Sequence, residues 1–525
     1  MLLTATASVG TFTACSNDDP APNVLPNKPE GTTMMSIQFA LQMPKSNRAA
    51  DDKQNISNPE FNYAGKWIGN DLIKAVDVYI FKADPAAAGG YSLETSDNLD
   101  ATKIDFQQPM VGNNDVAYIR PKKGFKVDPG QKKVFVVVNP TTETQALLTG
   151  ATDLTAFEAK YNGVMTLQNG GAAAPTVYTD ATAAAVTAGD PFTVADHLAK
   201  VEGTGANQKD VIVMTGLAGE INVQDNVNEA QTLNTSAPVN RAKVTVQRAV
   251  ARVLVTSDAT SYDVKGDDPT TPAVESEADG NAVVLATIDN LTYVVAQGES
   301  SLYFNQQDSD NPTNYQYKTP NSTYIPTGTA DDPAANYGAA QYAMYDYTGL
   351  WRKHDNKLGG YDVPTNAAYD ASLNNVVGQV QNQDGLHGEF FLPNTHAYHD
   401  TDRGQSGYRK GNTAYVLVRG KINPKFVYTG ANQVDNNWTA THADDDLFLG
   451  DDGKFYASAA LANDPTTNGN AAAAAMKVKK FVKGKVLYFV WVNPDHTSGK
   501  EWINSPAIRN NIYHIQISGI ANYVY

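Results

Sequence analysis

Residues 35–43 read MSIQFALQM, and this stretch decides the fold. Every second position is apolar, whereas the positions between carry serine, glutamine or alanine; the apolar set is Met35, Ile37, Phe39, Leu41 and Met43. A period of two predicts a β-strand with one buried face. At about 3.3 Å per residue the strand spans roughly 30 Å, which is long for a strand of a globular sandwich.

A polar segment with a central arginine, PKSNRAADDK at residues 44–53, follows this strand directly. Exposed polar segments are preferred sites of proteolysis, and we expect cleavage between Arg48 and Ala49. Cleavage there would free four or five apolar side chains from the core, at a cost on the order of 6–15 kcal/mol. That loss rivals the stability of a whole domain, about 5–15 kcal/mol. A strand from a neighbouring subunit can refill such a groove, and because the contact is heterologous it propagates a filament.

The rest of the chain is rich in strand patterns. They occur at residues 73–81, 133–139, 211–215, 243–256, 282–296, 301–304, 388–392, 413–421, 485–493 and 511–520. The valine-rich run at 134–138 is apolar on both faces, which predicts a central strand. Asp153 is placed as the N-cap of a short helix at 153–161. These patterns indicate an all-β protein with long loops and a few short helices.

A chain of 525 residues is too long for one core, and the asparagine-rich segment 222–238 resembles a linker. We therefore predict β-sandwich domains at residues 49–235 and 236–525. A signal peptide at 1–15 and a propeptide at 16–48, which is removed on maturation, precede them.

The single cysteine, Cys15, ends a short apolar segment that has no acidic residue, and the sequence turns polar directly after it. This pattern predicts a lipoprotein signal peptide and a lipid on Cys15. One cysteine excludes an intrachain disulfide. No later stretch reaches 18 consecutive apolar residues, so we expect contact with a membrane only through the lipid of the precursor.

The net charge of −16 argues against nucleic acid or an anionic bilayer as a partner. No nucleophile elbow, phosphate loop or HExxH motif is present, and we expect neither an enzyme nor a cofactor. His396 and His399 lie off any readable helix, and the acidic residues at 444–446 and 451–452 lack the spacing of a calcium loop, so no metal site is predicted. The tryptophans are more typical of a core than of a sugar platform.

Several segments carry a family resemblance when they are taken in order. They are Cys15, the strand ending in Arg48-Ala49, KKVFVVVNP at 132–140, VMTG at 213–216, QRAVARV at 247–253 and IRNNIYHI at 508–515. In this order they resemble the fimbrillin family of Bacteroidales, in particular the structural subunits (pilins) of short, Mfa-type fimbriae. The resemblance implies two transthyretin-like domains, export as an outer-membrane lipoprotein, cleavage by an Arg-specific protease, and donor-strand exchange in a cell-surface fimbrium.

The partners that the resemblance implies are copies of the same chain, accessory anchor and tip subunits, the protease, and host or bacterial surface receptors. Adhesion, co-aggregation and biofilm formation are the expected outcomes. An alternative function is a non-polymerising, lipid-anchored surface adhesin or glycan-binding lipoprotein.

The C-terminal strand has two open interpretations. Tyr513, Ile515 and Ile517 share one apolar face, and Val524 lies in the tail beyond them. The segment is either an ordinary strand of the second domain or part of the donor. Members of the family usually continue past this strand into a donor strand, whereas this chain stops at Tyr525.

Overall fold

The computed structural model describes fifteen segments of the chain. They are residues 33–41, 71–107, 118–167, 194–203, 209–266, 283–308, 317–321, 343–351, 353–354, 357–358, 361–365, 388–396, 407–468, 476–494 and 505–520, the last of which ends the described chain.

Strands dominate these segments. The first thirteen, β1–β13, are Thr33–Leu41, Ala75–Ala83, Tyr91–Asp100, Ile104–Gln107, Tyr118–Pro121, Phe125–Val127, Gly130–Val138, Val164–Thr166, Ala199–Glu202, Lys209–Ile212, Met214–Gly216, Gly219–Val223 and Arg241–Arg248. The strands β14–β33 are Ala251–Ser257, Ser261–Gly266, Val283–Ala296, Gly298–Glu299, Ser301–Tyr303, Gln307–Asp308, Tyr317–Lys318, Tyr345–Asp346, Lys353–His354, Lys357–Leu358, Tyr361–Asp362, Glu389–Phe391, Tyr415–Pro424, Val427–Gly430, Gln433–Asp435, Leu447–Gly450, Phe455–Tyr456, Val478–Phe481, Lys485–Trp491 and Ile512–Ile517.

The helices are short. The α-helices α1–α6 are Thr142–Leu148, Leu154–Tyr161, Glu229–Leu233, Trp438–Thr441, Ala459–Ala462 and Pro465–Asn468. Single 3-10 turns occur at Ala88–Gly90, Ala101–Lys103, Val194–His197, Thr348–Trp351 and Val482–Gly484. The predicted all-β class with a few short helices is confirmed.

A ten-stranded sheet carries the first core. Its main path runs β3-β2-β7-β11-β13-β1-β5-β4, and β12 and β6 add to β7 and β1. The valine-rich end of β7 is buried on both faces, as predicted for a central strand. Helix α2 covers one face, where the Phe157 ring lies 4.9 Å from that of Phe135. The Asp153 side chain accepts a hydrogen bond from the backbone N–H of Ala156, which confirms it as the N-cap.

Three further sheets surround the second core. One has the order β15-β16-β26-β32 with β24 added to β16, a second has the order β25-β14-β33, and a third has the order β28-β27-β30-β29-β31. The long strand β16 pairs with β26 on both sides of an irregularity between Asp289 and Thr292. The described residues thus form two main sheet-built cores.

Buried arginines tie the two cores together. Arg248 at the end of β13 pairs with Asp71 (Nε to Oδ1, 2.9 Å), and Arg252 in β14 pairs with Asp210 at 2.8 Å. The Arg509 guanidinium donates to the carbonyl oxygens of Arg248 and Phe304, at 3.0 and 3.1 Å. Burial raises the pKa of Asp71 and lowers the pKa of Arg509 to about 10. Arg248 and Arg252 are paired with buried carboxylates, whereas Arg509 is held by neutral oxygen acceptors.

The prediction of one strand over residues 243–256 was wrong. The stretch bends after Arg248, and β13 and β14 belong to different sheets. Ala249 and Val250 lie fully buried in the bend, where Ala249 donates to the carbonyl of Val213 and Val250 accepts from Asn510. Because the residues on both sides stay buried, the apolar pattern does not reveal the bend. The exact domain boundary, placed between 235 and 236, stays a prediction.

Candidate functional site

The first strand, β1, lies inside the ten-stranded sheet. It pairs in parallel with β13, from Ser36 opposite Arg241 to Leu41 opposite Val246. On its other side it is antiparallel to β6 in its first half and to β5 in its second half. The next strand along the chain, β2, is separated from β1 by β13, β11 and β7. A cut between β1 and β2 would therefore leave β1 bound to this sheet by noncovalent contacts alone.

The inner face of β1 fills the first core. Met35, Ile37 and Phe39 have no exposed surface, and Leu41 is 1% exposed. Burial of four such side chains contributes on the order of 6–12 kcal/mol, at 1.5–3 kcal/mol each. This is comparable with the whole stability of a domain, about 5–15 kcal/mol. Removal of β1 would leave a groove that the remaining residues of the core could not tolerate empty.

A polar clasp holds the N-terminal half of β1. The Thr33 hydroxyl donates to the carbonyl of Gln224 at 2.7 Å, and the Ser36 hydroxyl donates to the carbonyl of Thr232 at 2.7 Å. The Asn240 side-chain amide donates to the Met34 carbonyl at 3.1 Å. The two acceptors of the Thr33 and Ser36 hydroxyls belong to the segment that the sequence indicated as a linker, and Asn240 follows it by two residues. Its asparagines and threonines were the available signal, because such side chains satisfy backbone groups at strand ends.

The outer face of β1 meets two arginines from the flanking strands. The Arg120 Nε of β5 donates to the Gln38 Oε1 at 3.0 Å. The Arg241 Nε of β13 donates to the Ser36 hydroxyl at 3.1 Å, and its Nη2 donates to the Thr232 carbonyl at 2.7 Å. The pKa of Arg241 is lowered, first by burial and then by the positive charge of Arg120. All of these acceptors are neutral.

Several predicted site residues lie outside the described residues. These are the lipidation residue Cys15, the last apolar position Met43 of the predicted strand, the cleavage pair Arg48 and Ala49, and Val524 of the C-terminal tail. Their roles stay predictions. The described chain stops at the end of β1 and resumes at Asp71, so the cleavage pair falls between β1 and β2 in sequence.

The described part of the C-terminal strand, β33, lies between the two cores. It pairs in parallel with β14 from Ile512 to Ile517. Ile512 belongs to the first core, whereas Tyr513 and Ile515 belong to the second and Ile517 packs against its edge. The His514 side chain is also buried, and its Nε2 lies 2.7 Å from the Thr256 hydroxyl. Both faces of β33 are therefore in use within the subunit.

The histidines that were considered as metal ligands either make structural contacts or lie outside the described residues. His396 is buried, and its Nε2–H donates to the Asn412 carbonyl at 2.6 Å, while His387 and His399 lie outside the described residues. Burial lowers the pKa of His396 to about 4. In the segments with described coordinates, no group of three or more His, Cys, Asp or Glu side chains gathers as for a metal ion. None of the helices described here is long and apolar enough to cross a membrane.

No protein-family model matches the chain. Its curated relatives include two minor fimbrium subunits Mfa1 of Porphyromonas gingivalis. Each is 29% identical, with 99% of this chain and 85% of the relative aligned. This chain resembles the minor fimbrium subunits along nearly its whole length.

Solved structures with similar chains include two fimbrial proteins. The fimbrial anchor protein Mfa2 of Porphyromonas gingivalis is 11% identical, with a TM-score of 0.20 over 73% of this chain and 77% of that chain. A fimbrial assembly protein of Parabacteroides distasonis is 14% identical, with a TM-score of 0.22 over 64% of this chain and 87% of that chain. These TM-scores are low, and the resemblance to the Mfa1 subunits depends on the sequence.

Proposed function

We propose that this chain is a structural subunit of a cell-surface fimbria, in which β1 is a temporary strand that fills the assembly groove before polymerisation. One observation carries the proposal. The strand is central in its sheet and contributes four buried apolar side chains, yet it is joined to the following strand only through residues 42–70. An ordinary structural strand needs no cleavage segment beside it. The Mfa1 relatives, named as fimbrium subunits, support the same role.

Maturation would occur by cleavage between Arg48 and Ala49, seven residues beyond the end of β1. An Arg-specific protease would cut this polar segment, and β1 would then leave with the propeptide. The empty groove between β13 and the strands β5 and β6 would accept a strand of the next subunit, because an extended segment can add to the exposed strand edges. Repetition of this contact builds a filament rather than a closed ring.

Export would precede this step. Lipid on Cys15 would hold the precursor at the outer membrane, and the cut after Arg48 would release the lipid together with β1. Anchor and tip subunits of the fimbria and surface receptors are the proposed further partners, and the role is structural rather than catalytic. Residues 521–525, with Val524, are the proposed donor segment, since β33 itself is occupied within its own subunit.

The decisive experiment compares assembly by electron microscopy before and after cleavage. Wild-type precursor should remain monomeric until an arginine-specific protease is added. Arg48→Ala should stay uncut and monomeric with that protease. A lysine-specific protease can cut the same segment at Lys45 and Lys53, so it should restore filaments to the Arg48→Ala variant. This control separates scission of the segment from any other role of Arg48.

Two outcomes contradict the proposal. Filaments formed by uncut Arg48→Ala would show that release of β1 is unnecessary. Cleaved wild-type protein that keeps the 16–48 peptide and remains monomeric would favour a surface adhesin that never polymerises. Deletion of residues 521–525 tests the donor separately, because it should block filaments without changing cleavage.

A further inference from the structure

A threonine, a histidine and a glutamine meet where β14 lies beside β33. The two strands run in parallel, with Leu254 opposite His514 and Thr256 opposite Gln516. Side chains at alternate positions of a strand share one face, so His514 and Gln516 lie on the same face as Thr256. The parallel register therefore places one hydroxyl beside an imidazole and a carboxamide.

The Thr256 hydroxyl contacts both of the other groups. Its Oγ1 lies 2.7 Å from the Nε2 of His514, and it also contacts the Oε1 of Gln516. A hydroxyl has one hydrogen to donate, whereas the carbonyl oxygen and an unprotonated imidazole nitrogen both accept. When the hydrogen points to the imidazole, the lone pairs of Oγ1 face the carboxamide, whose carbon Cδ is bonded to the contacted oxygen. This is the arrangement of a nucleophile, a base and a carbonyl group.

The surroundings of the hydroxyl favour acyl transfer. Thr256 has no exposed surface, and His514 is 5% exposed. Burial lowers the pKa of His514 to about 4, so the imidazole is neutral at pH 7 and can accept the hydroxyl proton. The Gln516 side chain is only half-buried, which leaves a route out for a small leaving group. Because water is excluded from the hydroxyl, an ester formed there is protected from hydrolysis.

We propose that Thr256 and Gln516 form an intramolecular ester bond, with His514 as the catalytic residue of this single turnover. The Thr256 Oγ1 attacks the Gln516 Cδ while the His514 Nε2 takes the hydroxyl proton. The bond between Cδ and Nε2 of Gln516 then breaks, and His514 gives the proton to the leaving nitrogen, which departs as ammonia. One hydroxyl and one carboxamide thus give one ester and one ammonia, and the reaction needs no co-reactant.

The position of the bond is appropriate for a subunit under tension. Thr256 lies on the first strand after the bend between β13 and β14, and Gln516 lies five residues before the proposed donor segment at 521–525. A bond between them would hold the C-terminal strand in place when the donor is pulled. It would also restrict the unfolded chain, as a disulfide does, in a sequence whose single cysteine excludes an intrachain disulfide. The inference goes beyond the proposed function and does not depend on strand replacement.

The experiment measures the intact mass of the full chain as wild type and as three variants, Thr256→Val, His514→Gln and Gln516→Leu. Masses are compared with that of Thr256→Val, so that lipid and other modifications cancel. The wild type should be lighter by one ammonia beyond the substitution itself, whereas the other two variants should keep their ammonia. After proteolysis, the wild type should yield a branched peptide that joins Thr256 to Gln516, and mild hydroxylamine, which cleaves esters, should separate its two chains.

Two controls keep the result independent of folding defects. Thr256→Ser keeps the hydroxyl and should still lose one ammonia. Thr413 is also buried, and its hydroxyl donates to the Asn412 Oδ1 at 2.9 Å, so Thr413→Val removes a matched hydroxyl and should leave the ammonia loss unchanged. Glutamine at position 514 can form hydrogen bonds but cannot take up the proton. A folded His514→Gln protein that keeps its ammonia therefore separates a chemical role of the histidine from a structural one.

The outcomes distinguish this inference from the proposed function. If wild type and Thr256→Val differ only by the substitution, the three side chains form a hydrogen-bonded chain without the ester, and the inference is overturned while the fimbrial role stands. A loss of ammonia without the branched peptide would overturn it as well. Loss of ammonia in the folded His514→Gln variant would overturn the assignment of His514 as the base.

Discussion

Phe39→Ala should destabilise the precursor but not the assembled filament. Phe39 has no exposed surface, and its ring lies in the first core. Truncation of a buried phenylalanine to alanine costs about 3–5 kcal/mol, which combines the lost transfer energy with the cavity left behind. That is a large part of the stability of a domain. In the filament an incoming strand replaces β1, so the altered side chain is no longer in the core.

The assay measures the free energy of unfolding of the first core, from urea titrations of uncut precursor and of cleaved protein refilled with the natural 33–41 peptide. The Phe39→Ala precursor should lose about 3–5 kcal/mol, whereas its refilled form should match the refilled wild type. Val136→Ala is the control, because Val136 is buried in β7 and stays in the core in both states. The Val136→Ala substitution should lower the free energy of unfolding by about 2 kcal/mol in both the precursor and the refilled protein.

Two results would refute this reasoning. A Phe39→Ala deficit of the same size in precursor and refilled protein would mean that β1 never leaves the groove. No deficit in the precursor would mean that Phe39 contributes little to the core. If the alanine variant does not fold, Phe39→Leu keeps most of the apolar volume and should show the same contrast with a smaller loss.

Three further outcomes are expected. Asp71→Asn, which leaves the buried Arg248 without its carboxylate, should cost about 3–5 kcal/mol in denaturant titrations; an unchanged midpoint would contradict the contribution of this ion pair to stability. Burial lowers the pKa of His396 and of His514 to about 4. As the pH falls, these histidines are therefore protonated in the unfolded chain before they are protonated in the folded protein. The free energy of unfolding should fall between pH of about 6.5 and about 4, by about 3 kcal/mol for each histidine. Denaturant titrations at pH 7 and pH 4 should show that the His514→Gln variant loses less stability than the wild type. An equal loss would contradict the role of His514 in the pH dependence. Cys15→Ala should abolish lipid labelling and detergent partitioning of the precursor, and normal surface delivery of the variant would argue against the lipoprotein assignment.

Local chemistry made several elements readable from the sequence alone. The alternation of Ile37, Phe39 and Leu41 required a strand with one buried face, since side chains on a strand repeat every two residues. The doubly apolar end of β7 indicated a central strand, and Asp153 marked a helix start. The lipid site and the cleavage pair are linear motifs, so the sequence was enough to predict them, and both still await experiment.

Only the tertiary structure decided which strands neighbour β1. Its parallel pairing with β13 joins segments about 200 residues apart, and period-two patterns are equally compatible with many partners. The part of the clasp at Gln224 and Thr232 looked like a linker, because polarity alone cannot distinguish a solvated loop from one that caps a strand. The two arginines on the outer face of β1 emerged in the same way. Arg120 and Arg241 are far apart in sequence, and they become neighbours because β5 and β13 flank the same strand. Periodicity is a local property of the chain, whereas the chemistry of a groove depends on which distant strands the sheet brings together.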